Sequence, residues 1–276
     1  LRPPAMDKSK AKKVGIRQLH AKCRDGDKIV ALTAYDACIA RLADEAGVDM
    51  LLVGDSLGMT MLGYETTLPV TLEQSLHHTA AVARGSRRAM VVGDMPFLTY
   101  QVTPEEALRN AGRYLQEARA DAVKLEGGEV VAGTMQRLVQ AGIPVLGHIG
   151  ILPQSVLAEG GYRVHGRTPE EAEALCRDAR AVEEAGAFAV VLEGLPLDLS
   201  RRLTSELSIP TIGIGAGPHC SGQIQVVHDI LGLFEAFLPR HARRYANLAD
   251  DIRDAVSRYG NDVKEGVFPA RENSFT

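Results

Sequence analysis

The chain has 276 residues, 45% of them hydrophobic and 24% charged, and a formal net charge of −4 at pH 7. This is an ordinary globular composition, sized for one large α/β domain or two smaller ones. Its slight acidity argues against nucleic-acid or membrane-surface binding, and no apolar stretch reaches the roughly 18 residues of a spanning helix.

The basic run Lys8 to Lys13 reads as a solvated, frayed tail, and "GIRQLHAKCRDG" as a helix capping a barrel floor. "IVALTAYD" (29–36) is a strand, followed by the helical "ACIARLADEAG", which stops at Gly47. "VDMLLVGD" (48–55) is the second strand; a long loop follows, then a helix whose Thr71 and Gln74 have capping-box spacing. "AMVVGDMP" (89–96) is the third, and its helix opens with the cap, proline and acidic pair Thr103-Pro104-Glu105-Glu106. "DAVKLEGG" (121–128) and "IPVLGHIG" (143–150) are the fourth and fifth, after which Thr168-Pro169-Glu170-Glu171 repeats the helix start. "AFAVVLEG" (187–194) and "IPTIGIGAG" (209–217) are the sixth and seventh. The best eighth strand is "QVVHDILGL" (225–233), although only ten residues separate it from Ile214, near the roughly 10–12 needed for a parallel crossover. Residues 244–266 read as a helix and the last ten as a tail. Cys23, Cys38, Cys176 and Cys220 are scattered without a C-x-x-C pair. With no secretory signal visible, they read as reduced thiols of a cytoplasmic protein.

These strands are nearly continuous apolar runs, as in a parallel sheet covered by helices on its faces. Seven strand–helix units suit a closed (β/α)8 TIM barrel, with a doubly wound open sheet as the alternative. The expected layout is a tail and capping helix over 1–27, a single barrel domain over 28–243, and a C-terminal helix and tail over 244–276 packed on the barrel.

The apolar runs end on Asp36, Asp55 with Ser56, Asp94, Lys124 with Glu126, His148 and Glu193. In a parallel barrel those ends converge on one rim, where active sites of this fold lie. Any single aspartate there can instead begin a turn. Asp55, Asp94 and Glu126 come from adjacent strands. Three carboxylates brought together raise one another's pKa unless a cation joins them, and their oxygens favour Mg²⁺. Lys124 and Glu126, two apart on one strand, point the same way, which suits an anionic substrate or a plain ion pair. Glu193 stands across the rim after an apolar run, in surroundings that suit a general base. His148 is either a second proton carrier or a rim histidine bonded to a backbone carbonyl. "GIGAG" (213–217) either cradles a phosphate or allows tight packing. His77 and His78 read as surface or packing residues.

"ALTAYDA", "LLVGDSLGMTMLGYETTLPVTLEQ", "VVGDMPF", "VKLEGG", "PVLGHIGILPQSV", "GGYRVHGR", "VVLEG" and "IPTIGIGAG" together resemble the ketopantoate hydroxymethyltransferases. The resemblance implies a (β/α)8 barrel that transfers a hydroxymethyl group from 5,10-methylenetetrahydrofolate, the co-substrate, to 3-methyl-2-oxobutanoate. The product is 2-dehydropantoate, on the route to pantothenate and coenzyme A, and the path runs through a metal-stabilised enolate. It further implies a Mg²⁺ site at Asp55, Asp94 and Glu126, and oxo-acid binding by Ser56 and Lys124 together with Asp55 and Asp94. Glu193 becomes the proton acceptor, His148 lies near the substrate, and the assembly is a homo-oligomer, a decamer in relatives. Segments 56–70 and 151–167 are lid candidates. Two rivals stand beside this reading: a Mg²⁺-dependent carbon–carbon lyase of the isocitrate-lyase kind, and a non-catalytic metabolite-binding barrel.

Overall fold

The computed structural model describes residues 12–275. Eight parallel strands close into a barrel in sequence order, β1-β2-β3-β4-β5-β6-β7-β8, so the open-sheet alternative is excluded. They are β1 (Ile29–Thr33), β2 (Met50–Val53), β3 (Met90–Asp94), β4 (Ala122–Glu126), β5 (Val145–Gly150), β6 (Ala189–Glu193), β7 (Thr211–Ile214) and β8 (Gly222–Gln225). Helix α1 (Ile16–Asp25) precedes the barrel, and α2 (Ala37–Glu45) follows β1. A short α3 (Leu57–Thr60) and then α4 (Leu72–Gly85) follow β2; α5 (Pro104–Gln116), α6 (Glu129–Gln140), α7 (Pro169–Glu184) and α8 (Leu197–Glu206) follow β3 to β6. The expected caps form: Thr71, Thr103 and Thr168 accept from Gln74, Glu106 and Glu171, and each satisfies a backbone N–H that the first helical turn leaves over.

The closing strand differs from the expectation. β8 is the short "GQIQ", residues 222–225, joined to β7 by the turns of 215–221, and most of 225–233 is instead the helix α9 (Val227–Leu231). The sequence 227–231 is apolar enough for a strand, but Val227, Ile230 and Leu231 fall at helical spacing.

Two apolar layers share each strand by the two-residue alternation of side chains. Met50, Leu52, Met90, Val92, Ala122, Leu146, Ala189, Val191, Ile212 and Ile224 fill the barrel. Val14 and Leu19, the latter on α1, join the same cluster. Val123, Leu125, Val145, Ile149, Val190 and Leu192 pack outward against residues of α5 to α8. Carried upward, the inward parity continues as Asp94, Lys124, Glu126, His148 and Glu193. The barrel interior is therefore apolar until its last layer, which is polar.

Of the basic run, residues 8–11 lie outside the described residues. Lys13 is no frayed residue: its ammonium donates to Ala89 O at 2.8 Å and pairs with Asp121 at 2.9 Å. Residues 227–276 form a second compact unit with α9, α10 (Leu248–Lys264) and a short 3-10 turn, Arg271–Asn273. Within it Arg253 grips Glu235 with two hydrogen bonds of 2.8 and 3.0 Å. Among the described residues no helix is long and apolar enough to cross a membrane.

Candidate active site

Strand register builds the site. Asp94 pairs with Lys124 across β3 and β4, and Glu126 with His148 across β4 and β5. Asp55 follows β2 through Gly54 and is buried, as are Asp94, Lys124, Glu126 and His148. Asp36 is not part of this layer. It caps α2, accepting from Cys38 N at 2.7 Å and Ile39 N at 2.8 Å, which is the ordinary turn role of a strand-end aspartate.

Two of the three pairs of buried carboxylates are bridged by donors of one residue, and the remaining pair is joined through a backbone N–H. The Asp55 N–H donates to Asp94 Oδ2 at 2.9 Å. The Lys124 ammonium pairs with Asp94 Oδ1 at 2.9 Å and donates to Glu126 Oε1 at 3.2 Å. Gln154 spans the third side, its side-chain amide donating to Asp55 Oδ2 and its backbone N–H to Glu126 Oε2, both at 3.1 Å. His148 continues the chain: Nδ1 lies 3.1 Å from Lys124 Nζ and 3.4 Å from Glu126 Oε1, and Nε2 lies 3.1 Å from Glu193 Oε2. Glu193, on β6, lies across the barrel from β2, yet its surroundings are not apolar: its side chain is 19% exposed and lies 3.1 Å from the imidazole that adjoins the carboxylate cluster. Of the two alternatives for His148, the one bonded to a backbone carbonyl is not what forms: its ring nitrogens face side chains.

The charges do not balance. Burial pushes Asp55 well above the usual carboxylate range; Asp94 and Glu126 push it further, against Lys124 and Gln154. Burial also raises Asp94, although Lys124 opposes it. Glu126 resists its own burial and falls to about 2, because Lys124 and His148 hold its charge. Lys124 stays far above an ordinary lysine, since Asp94, Glu126 and Asp55 outweigh its desolvation. For His148, burial and Lys124 act downward, but Glu126 and Glu193 prevail and lift it to about 9. A neutral ring accepts from Lys124 at Nδ1, and a charged one has Glu126 Oε1 3.4 Å from that nitrogen. In both states Nε2–H faces Glu193.

Mg²⁺ can be judged against this donor set. Three buried carboxylates share one lysine, and the buried Asp94 Oδ1 receives no well-directed hydrogen bond. Those are hard oxygen donors with surplus negative charge, and they suit a hard dication. Among the described residues no three His, Cys, Asp or Glu side chains form a ready-made cage.

Other residues hold the site in place. Ser75 donates to Asp94 O at 2.9 Å, and the Tyr114 hydroxyl lies 2.7 Å from the same carbonyl. Gly93 is what lets Tyr114 lie there, because a Cβ on residue 93 would sit 2.2 Å from its ring. Ser56 Oγ bonds the buried Tyr35 hydroxyl at 2.8 Å. Tyr35, Ser75, Tyr100, Tyr114 and Gln154 were not legible as site residues in the sequence. The lid candidate 56–70 is partly packed, with Leu57 and Gly58 buried. The second, 151–167, is pinned at Gln154 and carries Tyr162, whose phenol is raised by partial burial and then by Asp55, Glu193 and Glu126. His78 Nδ1 lies 2.7 Å from Tyr35 O, a packing role. In "GIGAG", a Cβ on Gly217 would meet Leu197 at 2.5 Å and one on Gly213 would meet Cys220 at 2.9 Å, so packing accounts for both glycines. Cys220 itself is buried just before β8, where its carbonyl accepts from Lys28 at 2.5 Å, far from the role of a rim nucleophile.

Known proteins resemble this chain in fold and in sequence. A solved 2,3-dimethylmalate lyase, a PEP mutase/isocitrate lyase superfamily member, shares the fold with a TM-score of 0.59 over 94% of this chain and 91% of that one, at 18% identity. The 3-methyl-2-oxobutanoate hydroxymethyltransferase of Syntrophus aciditrophicus (strain SB) is 54% identical over 97% of this chain and 98% of its own length. That of Chloroflexus aurantiacus (strain ATCC 29366 / DSM 635 / J-10-fl) is 56% identical over 95% of this chain and 92% of its own. The ketopantoate hydroxymethyltransferase profile matches residues 13–271, nearly all of the sequence, and the chain belongs to that enzyme family.

Proposed function

We propose that this enzyme transfers a hydroxymethyl group to C3 of 3-methyl-2-oxobutanoate, with 5,10-methylenetetrahydrofolate as donor and Mg²⁺ bound by Asp55, Asp94 and Glu126. The carrying observation is the polar last layer of the barrel, where a partly exposed carboxylate, Glu193, adjoins a buried carboxylate cluster short of positive charge. The relatives' shared name supports the acceptor and the group transferred.

When bound, Mg²⁺ would draw electron density from the 2-oxo group and so acidify the C3 hydrogen. Glu193 is the group placed to take that proton. His148 Nε2 lies 3.1 Å from its Oε2, so the imidazole is the neighbour beside the carboxylate that would receive the proton. Removal of the proton makes C3 a carbon nucleophile, which bonds to the donor's methylene carbon. Both C–N bonds of that methylene break and one water is consumed, its oxygen becoming the hydroxyl. Its protons, with the one taken from C3, go to the nitrogens and the new alcohol, so that tetrahydrofolate leaves and C3 becomes quaternary. Lys124 keeps Asp94 and Glu126 ionised and offsets charge brought in by the oxo acid. Ser56, fixed by Tyr35, offers a hydroxyl beside Asp55.

The test is an NMR assay of the acceptor with Mg²⁺, with and without methylenetetrahydrofolate. The new hydroxymethyl resonances should need all three components. A carbon–carbon cleavage product formed without folate would replace this reading with the lyase one.

A further inference from the structure

Gln154 sits in a short 3-10 turn, Pro153–Ser155, yet its side chain and backbone N–H together find partners at the ends of three other strands. Its Nε2 donates to Asp55 Oδ2 at 3.1 Å, after β2, and to Met95 O at 3.0 Å, after β3. Its Oε1 accepts from the Tyr100 hydroxyl at 2.8 Å and from Gln101 Nε2 at 3.3 Å. Its backbone N–H reaches Glu126 Oε2, at the end of β4, at 3.1 Å. The amide has one workable orientation: flipped, its oxygen would face a carboxylate and a carbonyl, three acceptors with no proton among them. Gln154 is 6% exposed, whereas Leu157, three residues on, is 76% exposed. The turn is therefore the anchored root of an open segment.

We infer that Gln154 is a positioning residue that makes seating of the Pro153–Ser155 turn a condition of metal binding, because the same side chain and N–H orient Asp55 and Glu126. This rests on the reading of those two carboxylates as metal ligands. Outer partners of metal-binding carboxylates fix their orientation, and their loss weakens binding by about 10–100-fold. Coupling is reciprocal: if a seated turn favours the metal, the metal favours the seated turn by the same factor. The open segment after β5 thereby reports on the metal site, although it contributes no ligand itself.

The experiment uses the full chain and Mg²⁺ alone, with no substrate. Calorimetric titration of Gln154→Met, which keeps the length of the side chain but has no amide, should show Mg²⁺ affinity lower by about 10–100-fold with the unfolding midpoint near that of the unaltered protein. Hydrogen exchange supplies a second readout that a filler role would not move. In the unaltered protein, saturating Mg²⁺ at about 100 times its Kd should slow exchange of residues 153–161 by up to about 100-fold. In Gln154→Met that protection should vanish. Should this variant fail to fold, Tyr100→Phe, which removes the hydroxyl that donates to Gln154 Oε1, should lower affinity in the same direction by less. A folded Gln154→Met with unchanged affinity overturns the inference, as does exchange over 153–161 that ignores Mg²⁺. An unaltered protein that binds no Mg²⁺ overturns the metal reading beneath it, and the two failures are told apart by the first titration.

Discussion

Lys124→Met removes the one ammonium among three buried carboxylates while keeping the volume of the stem. Lys124 is 3% exposed and serves Asp94 at 2.9 Å and Glu126 at 3.2 Å, so neither carboxylate can turn to water when it goes. Removing one partner of a buried ion pair typically costs about 3–5 kcal/mol, and a lysine that serves two anions belongs at the upper end. The pH dependence carries the sharper test. In the unaltered protein Glu126 titrates at about 2, so its contribution is present above the unfolded carboxylate value of 4.5 and is lost as pH falls through about 2. Without Lys124, burial acts unopposed by that cation, and Asp94 and Glu126 move up instead. Protons then favour the folded variant, and the stability gap between the two proteins should narrow as pH falls from 7 to 4. Urea unfolding of the metal-free proteins at pH 7, 5.5 and 4 measures it. A gap under about 1 kcal/mol at pH 7, the worth of an exposed pair, would refute the reasoning, as would a gap that is flat with pH.

Asp94→Asn should keep the fold and weaken Mg²⁺ by at least the roughly 10–100-fold that losing even an outer partner costs; unchanged affinity in a titration would remove Asp94 from the site. Gly93→Ala should destabilise by about 1–3 kcal/mol, because its Cβ would press the buried Tyr114 ring off the Asp94 carbonyl, and urea unfolding no different from the unaltered protein would contradict that packing. His148, raised to about 9, adds stability that is complete below its unfolded value of 6.5 and is lost as pH rises through about 9. Thermal unfolding of the metal-free protein from pH 6 to 10 should show that loss and His148→Gln should lack it; two parallel profiles would mean that the ring does not titrate there.

Much of this was legible because a barrel strand is apolar until it reaches the rim. In "DAVKLEGG" and "IPVLGHIG" the polar residue that interrupts the run is the site residue, and the inward parity of Lys124 and Glu126 follows from their spacing alone. The same rule misread Asp36, because a helix cap and a site aspartate look alike at the end of an apolar run. It also set Glu193 apart, since strand number gives position on the rim but not that His148 reaches sideways from β5 to both Glu126 and Glu193. β8 escaped because "GQIQ" holds one large apolar residue, while the richer run beyond it winds as α9. Gln154 and Tyr100 carry no local pattern: Gln154 meets Asp55 across 99 residues and Glu126 across 28. Those contacts exist only once the barrel has closed.

The central claim is that Glu193 removes the C3 proton of the oxo acid before any carbon–carbon bond forms. It is tested most directly by following that hydrogen of 3-methyl-2-oxobutanoate by NMR in D₂O, with enzyme and Mg²⁺ and without folate. The unaltered enzyme should exchange it for deuterium. Glu193→Gln, still able to accept from His148 through its amide oxygen, should exchange about 10²–10⁴-fold more slowly while binding Mg²⁺ as before. A glutamine variant that exchanges at the unaltered rate would contradict the account, and the base would then have to be sought elsewhere, first at His148.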